Sequence, residues 1–347
     1  MSIETKRIRY TNMSQRSLTH LLLWVVLLTL GCDSTTDSSE LPPAEQKVSL
    51  PVPNFQSDSA YAFIEQQVAF GPRVPNTAAH QECEEYLVNQ LTGFGASVQV
   101  QEFEAEAYDG TSLQLSNIIA SFYPEQRKRI LLAAHWDTRP FADKDTERTN
   151  EPIDGANDGA SGVGVLLEVA RALQNADTVP RVGVDIILFD GEDYGEPEGQ
   201  KAVQTESNNK VWWCLGSQYW SENKHQPNYS AYYGVLLDMV GAEGATFYEE
   251  GVSERVAPSI VNKIWSTAQQ LGFGSYFINK ESPEIIDDHV YVNYNGKIPM
   301  VDIVEYEPTS ASYFAKYHHT HDDDMDVISR ETLEAVGETV LHVIYKE

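Results

Sequence analysis

The sequence predicts an α/β fold: a three-layer sandwich whose mixed, mostly parallel central β-sheet is flanked by helices. Three observations predict it. Apolar, β-prone runs alternate along the chain with segments whose apolar residues recur at helical spacing. Residues 184–189, Val-Asp-Ile-Ile-Leu-Phe, are nearly continuous in apolar character, the pattern of a strand covered on both faces. Asp109-Gly110 between two strand-like runs supplies the backbone angles of a tight hairpin, which adds antiparallel pairing.

In chain order, Lys6, Arg7, Arg9 and Arg16 precede an apolar run at 21–30 and then Gly31-Cys32. A basic region followed by an apolar core too short to span a bilayer is the layout of a secretory signal. Thr29-Leu30-Gly31-Cys32 resembles a bacterial lipoprotein cleavage box, although Thr29 stands where that box usually has Leu. Residues 1–32 are therefore expected to be removed or processed to leave a lipidated Cys32. The protein is then exported to the bacterial cell envelope, as a periplasmic or membrane-anchored lipoprotein. Residues 33–53, rich in Ser, Thr, Asp, Glu and Pro without an apolar period, read as a flexible tether. Residues 54–347 form the expected catalytic domain.

Within that domain, 59–70 and 77–91 have helical spacing, broken by Gly71-Pro72-Arg73-Val74-Pro75. Residues 98–107 and 113–122 are the two hairpin strands, and 129–134 is a further strand ending at His135-Trp136-Asp137. Residues 160–173 form an amphipathic helix leading to the strand at 184–189. After it, 232–237 and 298–304 read as strands and 260–271 as a helix stopped by Gly272. Ser329 is the expected N-cap of a final helix.

The 24 basic and 52 acidic residues give a formal charge of −28. Such a surface repels phosphate backbones, which argues against nucleic acid as a partner, and favours cations. Apart from Cys32, the cysteines are Cys83 and Cys214, far apart and without the close spacing of a structural zinc site. Whether they pair is open from sequence.

Carboxylates and histidines recur where the expected strands stop: His135 and Asp137, then Asp190, Glu192 and Asp193, then Asp238. Asp158 sits in a loop of small residues before a helix, and His319 in a loop before the last one. Ligands of open α/β sheets bind beyond the carboxyl ends of the strands, so these groups are expected to converge on one crevice. Mixed oxygen and imidazole donors suit zinc, whose catalytic sites keep one position open.

His135-x-Asp137, Asn157-Asp158-Gly159-Ala160-Ser161-Gly162, Asp190-Gly191-Glu192-Asp193, Leu237-Asp238-Met239-Val240-Gly241 and His319-Thr320-x-Asp322 occur in this order. From Phe70 to the C-terminus the chain thereby resembles the M28-type zinc peptidase family, which includes bacterial leucyl aminopeptidases and glutaminyl cyclases. The resemblance implies a zinc aminopeptidase-like fold, Asp158, Asp193 and His319 as ligands of one zinc, and Glu192 as general acid/base. It also implies His135 and Asp238 as the extra ligands where a second ion is held.

Within that family the sequence resembles the bacterial cyclase branch. Ile286-Asp287-Asp288-His289 is similar to the segment whose first Asp joins the acid network, which gives Asp287 that role beside Asp238. Leu236 to Ala242, His135 to Pro140 and the Asp at position 193 point the same way. His318 departs from animal cyclases, which have Trp there, and their disulfide has no counterpart. Phe314 and one of Trp212 or Trp213 are the candidates for the aromatic wall. The implied reaction converts the N-terminal Gln of a peptide or protein to pyroglutamate with release of ammonia, on one zinc, in a monomer. The alternative is a two-zinc aminopeptidase.

Overall fold

A computed structural model describes residues 50–197 and 211–347, so the expected signal and most of the expected tether lie outside the described residues. Two helices open the body, α1 (Ser57–Ala69) and α2 (Ala78–Gly93), the second capped by the Thr77 hydroxyl on the His80 N–H. The hairpin follows as β1 (Ser97–Glu106) and β2 (Ser112–Phe122), paired antiparallel, with Gly110 at φ 87° in the turn. Then come β3 (Arg129–His135), α3 (Ala160–Asn175), β4 (Gly183–Phe189), α4 (Leu215–Glu222) and β5 (Tyr233–Asp238). The chain continues through β6 (Phe247–Glu249), α5 (Gly251–Val256), α6 (Pro258–Leu271), β7 (Phe277–Glu281), α7 (Asp288–Tyr294), β8 (Met300–Val304) and α8 (Arg330–Tyr345). Gly272 ends α6 at φ 93°, and the Ser329 hydroxyl caps α8.

The main sheet has the order β1-β2-β4-β3-β5-β8. Strands β4, β3, β5 and β8 are parallel, while β1 and β2 are antiparallel to each other and β2 is antiparallel to β4. This is the mixed, mostly parallel sandwich expected from the sequence. The period-2 alternation of a strand divides the sheet's side chains between two layers. Ile130, Leu132 and Ala134 of β3, with Val184, Ile186 and Leu188 of β4, pack into the layer of α1, α3, α6 and α8. Leu131, Ala133, Ile187 and Phe189 face the opposite layer, with Trp220 of α4 and Val292 of α7. Both faces of β4 are dry, so each of its Ile and Leu side chains contributes about 1.5–3 kcal/mol relative to exposure. Among the described residues no helix is long and apolar enough to cross a membrane.

Candidate active site

The parallel strands β3, β4 and β5 all end at one edge, and the polar residues that interrupt their apolar runs meet there. A cavity of about 400 Å³ opens above that edge, lined by Asp158, Glu192, Asp193, Asp238, Asp287, His318 and His319. Its other walls are Trp213, Met239, Ile285, Ile286 and Phe314, so an acidic floor faces an apolar rim.

Two buried carboxylates aim the loops that carry the floor. Asp137, just past β3, accepts the Glu192 and Asp193 backbone N–H groups, each at 3.1 Å. Asp323 does the same for Asn157 and Asp158, at 2.7 and 3.0 Å. Asn157 Oδ1 and Ser161 Oγ in turn accept the Gly241 and Val240 N–H groups and bind the turn after β5 to the start of α3. Gly159 sits at φ 102°, and a Cβ there would come within 2.4 Å of the Asp137 carbonyl oxygen. Arg73 donates to the carbonyls of Trp136, Asp154 and Gly155, and stiffens the same loops from below. Cys214, Met239 and His319 all have positive φ without being glycine, so part of the chain's backbone strain falls at this floor.

His319 Nε2 faces Asp193 Oδ1 at 3.2 Å and Asp158 Oδ2 at 3.7 Å. His135 Nε2 lies 3.1 Å from both Asp158 Oδ1 and Asp238 Oδ1. Asp158 thus stands between two groups with the donor types and spacing of a metal site, one with His318 and His319 and the other with His135 and Asp238, and Asp193 adjoins the first through His319. Asp193 Oδ2 is buried and has no hydrogen-bond partner among the described residues. An orphaned oxygen on a carboxylate whose other oxygen faces an imidazole, within a ring of carboxylates, fits a divalent cation, so the residues suit the zinc that the sequence resemblance implies.

The electrostatics tell the same story. Burial, reinforced by Asp193, Asp287 and Asp288, pushes the Glu192 carboxyl well above its usual range against the pull of His135. Burial and then Asp238 push Asp287 up to about 7. Burial also raises Asp193 and Asp238, with Asp158 adding to each. Asp158 goes the other way, because the hydrogen bond and charge of His135 outweigh its burial. Like charges this close disfavour joint ionisation, so the site holds protons or a cation tightly.

The sequence profile of peptidase family M28 matches residues 117–344. The chain belongs to that family. It is 53% identical to a Zn-dependent exopeptidase from Parabacteroides distasonis, with a TM-score of 0.81 over 86% of this chain and 100% of that one. It is 52% identical to the glutaminyl cyclase of Tannerella forsythia, with a TM-score of 0.81 over 85% of this chain and all of the other. A glutaminyl cyclase of Bacteroides thetaiotaomicron, solved with bound N-acetylhistamine, is 49% identical, with a TM-score of 0.81 over 86% of this chain and 100% of that one.

The structure brings Asp158, Asp193, His319, Glu192, Asp238 and Asp287 to the one cavity expected of this M28 chain. His135 is buried behind Asp158 and Asp238 and is not among the cavity's lining residues. Trp213 and Phe314 line the wall, whereas Trp212 is buried away from it. Of the two tryptophans between which the sequence left the choice open, Trp213 stacks parallel to His319, with ring centroids 5.9 Å apart, while Trp212 packs into the protein. Cys83 and Cys214 are free thiols. Sequence reasoning missed Arg139, which donates to the Asp193 carbonyl at 3.0 Å and lies 4.5 Å from the Trp213 ring. It also assigned no use to His318, whose Nδ1 is 2.7 Å from Lys144 Nζ. An ammonium can only donate, so Nδ1 accepts and Nε2 carries the ring proton towards Asp158. In that tautomer Nε2 presents its hydrogen to the cavity, 3.7 Å from Asp158 Oδ2.

Proposed function

We propose that this chain is a zinc-dependent glutaminyl-peptide cyclotransferase, which converts the N-terminal Gln of peptides or proteins to pyroglutamate and releases ammonia. The meeting of Glu192, Asp238 and Asp287 in one cavity beside the ligand cluster carries this reading. The glutaminyl cyclases that resemble this chain over its catalytic body support it. Asp158, Asp193 and His319 would hold one zinc. Bound there, zinc supplies the Lewis acidity that polarises the substrate's side-chain amide carbonyl.

The chain's own groups do the rest. Glu192 takes a proton from the substrate's α-ammonium group, and the freed amine attacks the side-chain amide carbon. As the ring C–N bond forms and the bond to the amide nitrogen breaks, the same carboxyl relays to the leaving nitrogen both protons that the attacking nitrogen sheds, so ammonia departs in its protonated form. Asp238 and Asp287 accept hydrogen bonds from the amine and keep it aimed at that carbon. The walls of Phe314, Trp213, Met239 and Ile285 exclude water, which favours the internal amine over hydrolysis. His318 Nε2–H adds a donor at the cavity floor.

A second reading rests on Asp158, which belongs to both ligand groups and could help hold two zinc ions, the second together with His135 and Asp238. Glu192 would then activate water in an aminopeptidase. Ammonia release from a Gln-initiated dipeptide, run beside hydrolysis of an aminoacyl anilide with zinc counted per chain, separates them. About one zinc with ammonia supports the cyclase, and about two with free amino acid overturns it. We also propose export with lipid on Cys32, and a monomer. Fatty-acid labelling that persists in Cys32→Ser would refute the first, and sedimentation as a dimer the second.

A further inference from the structure

The proposed reaction gives no part to Cys214, yet its thiol lies against the base. Sγ is 3.2 Å from Glu192 Oε1, and among the described residues it is the side-chain donor found on that carboxylate. The backbone is drawn in as well: Cys214 N–H donates to the Glu192 carbonyl at 2.9 Å and Leu215 N–H to the Gly191 carbonyl at 3.0 Å. These bonds tie the start of α4 to the loop that carries the base. Helix α4 comes this close because residue 216 is glycine, where a Cβ would lie 2.5 Å from the Asp190 carbonyl oxygen. Cys214 itself is held at φ 58°, a conformation that residues with a Cβ rarely adopt. Two backbone bonds, a close helix approach and a strained residue all serve to place one thiol.

The need for it lies in the chemistry of the base. The terminal torsion of a glutamate is broad and roughly two-fold, so the carboxylate is not aimed by its own rotamer. After burial, the charge that bears most on Glu192 is His135, whose Nε2 faces Asp158 and Asp238 instead, and the next three, Asp193, Asp287 and Asp288, have nothing to donate when ionised. A lysine or arginine in their place would fix the carboxylate but stabilise its charge and weaken it as a base. A thiol is a weak, neutral donor, which orients one oxygen and leaves the other free to carry the proton.

We infer that Cys214 is a positioning residue, whose S–H···O hydrogen bond to Glu192 Oε1 holds the base in its working orientation. This rests on Glu192 acting as the acid/base of the proposed reaction. The test compares Cys214→Ala and Cys214→Ser in the full chain on a Gln-initiated dipeptide. Alanine keeps the Cβ, so the backbone demand at residue 214 does not change. In Cys214→Ala kcat is expected to fall about three- to tenfold, the worth of one ordinary hydrogen bond. KM, zinc content and the dissociation constant of N-acetylhistamine are expected to stay at their starting values. Cys214→Ser restores a donor and is expected to recover most of kcat.

An alanine variant with unchanged kcat overturns the inference. So does a fall in kcat accompanied by lost zinc or weakened N-acetylhistamine binding, or a serine variant no faster than alanine. If the alanine variant does not fold, the serine variant decides alone: normal N-acetylhistamine binding with kcat near the starting value supports the thiol's role, and a large fall overturns it. Glu192→Gln, run in parallel, keeps the two ideas apart. Full activity there removes the proposed reaction itself, whereas an inactive Glu192→Gln beside a fully active Cys214→Ala removes only the positioning role.

Discussion

Strand β4 carries buried or half-buried carboxylates at both ends, and the two ends hold them in opposite ways. At its start, Asp185 accepts from Arg129 Nε at 2.5 Å and Nη2 at 2.6 Å, from Ser121 Oγ at 2.6 Å and from Tyr229 OH at 2.7 Å. Just past its end, Asp193 Oδ2 has no hydrogen-bond partner among the described residues, and Glu192 meets a weak thiol and other carboxylates, with His135 as the opposing charge. The residue types are alike and the strand is the same. A buried carboxylate with all its lone pairs served is a structural element, whereas one left short among like charges retains the capacity to bind a proton or a cation.

Breaking the chemical end should have the larger effect on activity. Glu192→Gln preserves shape while removing the proton carrier, so ammonia release should fall by about 10²–10⁴-fold. Zinc should remain bound and thermal stability should be unchanged or higher, because one member of a crowded set of negative charges is gone. A variant with zinc bound and near-normal kcat would show that the proton moves by another route.

Breaking the structural end should do the reverse. Asp185→Ala leaves the Arg129 guanidinium, the Ser121 hydroxyl and the Tyr229 hydroxyl without their shared acceptor. The expected loss is about 3–5 kcal/mol of stability in denaturant unfolding. The cavity edge is about 13 Å away along the strand, so kcat per folded molecule should hold. A destabilised variant whose kcat also collapsed would mean that the two ends are not independent.

The same contrast explains what could be read from the sequence. Strands β3, β4 and β5 and helix α3 were legible because burial on one or both faces imprints a local period, and the polar residues that end those strands stand out against it. Strand β6 has three residues and α5 six, too few to show a period, and neither was foreseen. The ligand and base positions were legible through spaced motifs. What aims them was not, since Asp137 acts on a loop 55 residues away and Asp323 on one 165 residues away. Likewise the proton on His318 is placed by Lys144, 174 residues distant in sequence. Trp212 and Trp213 are neighbours of one type, and only the backbone path before α4 decides which faces the cavity.

If full service marks a structural carboxylate, the rule should reach beyond β4, and Glu250 is the place to sharpen it. Its oxygens accept from the Val252, Ser253 and Ile285 N–H groups, from Ser253 Oγ and from His289 Nε2 at 3.1 Å. Burial alone would raise its pKa, but the His289 hydrogen bond and charge, with these backbone donors, pull it down from 4.5 to about 2. Between those two values the unfolded chain binds the proton first, so stability rises with pH across that window. The contribution is complete above about pH 4.5 and is lost as the pH falls through about 2. Urea unfolding of the parent and of Glu250→Gln should therefore give a stability difference that is level at neutral pH and shrinks below about pH 4.5. A difference that stayed level down to about pH 2 would place the Glu250 carboxyl at its ordinary pKa and remove it from the class that Asp185 represents.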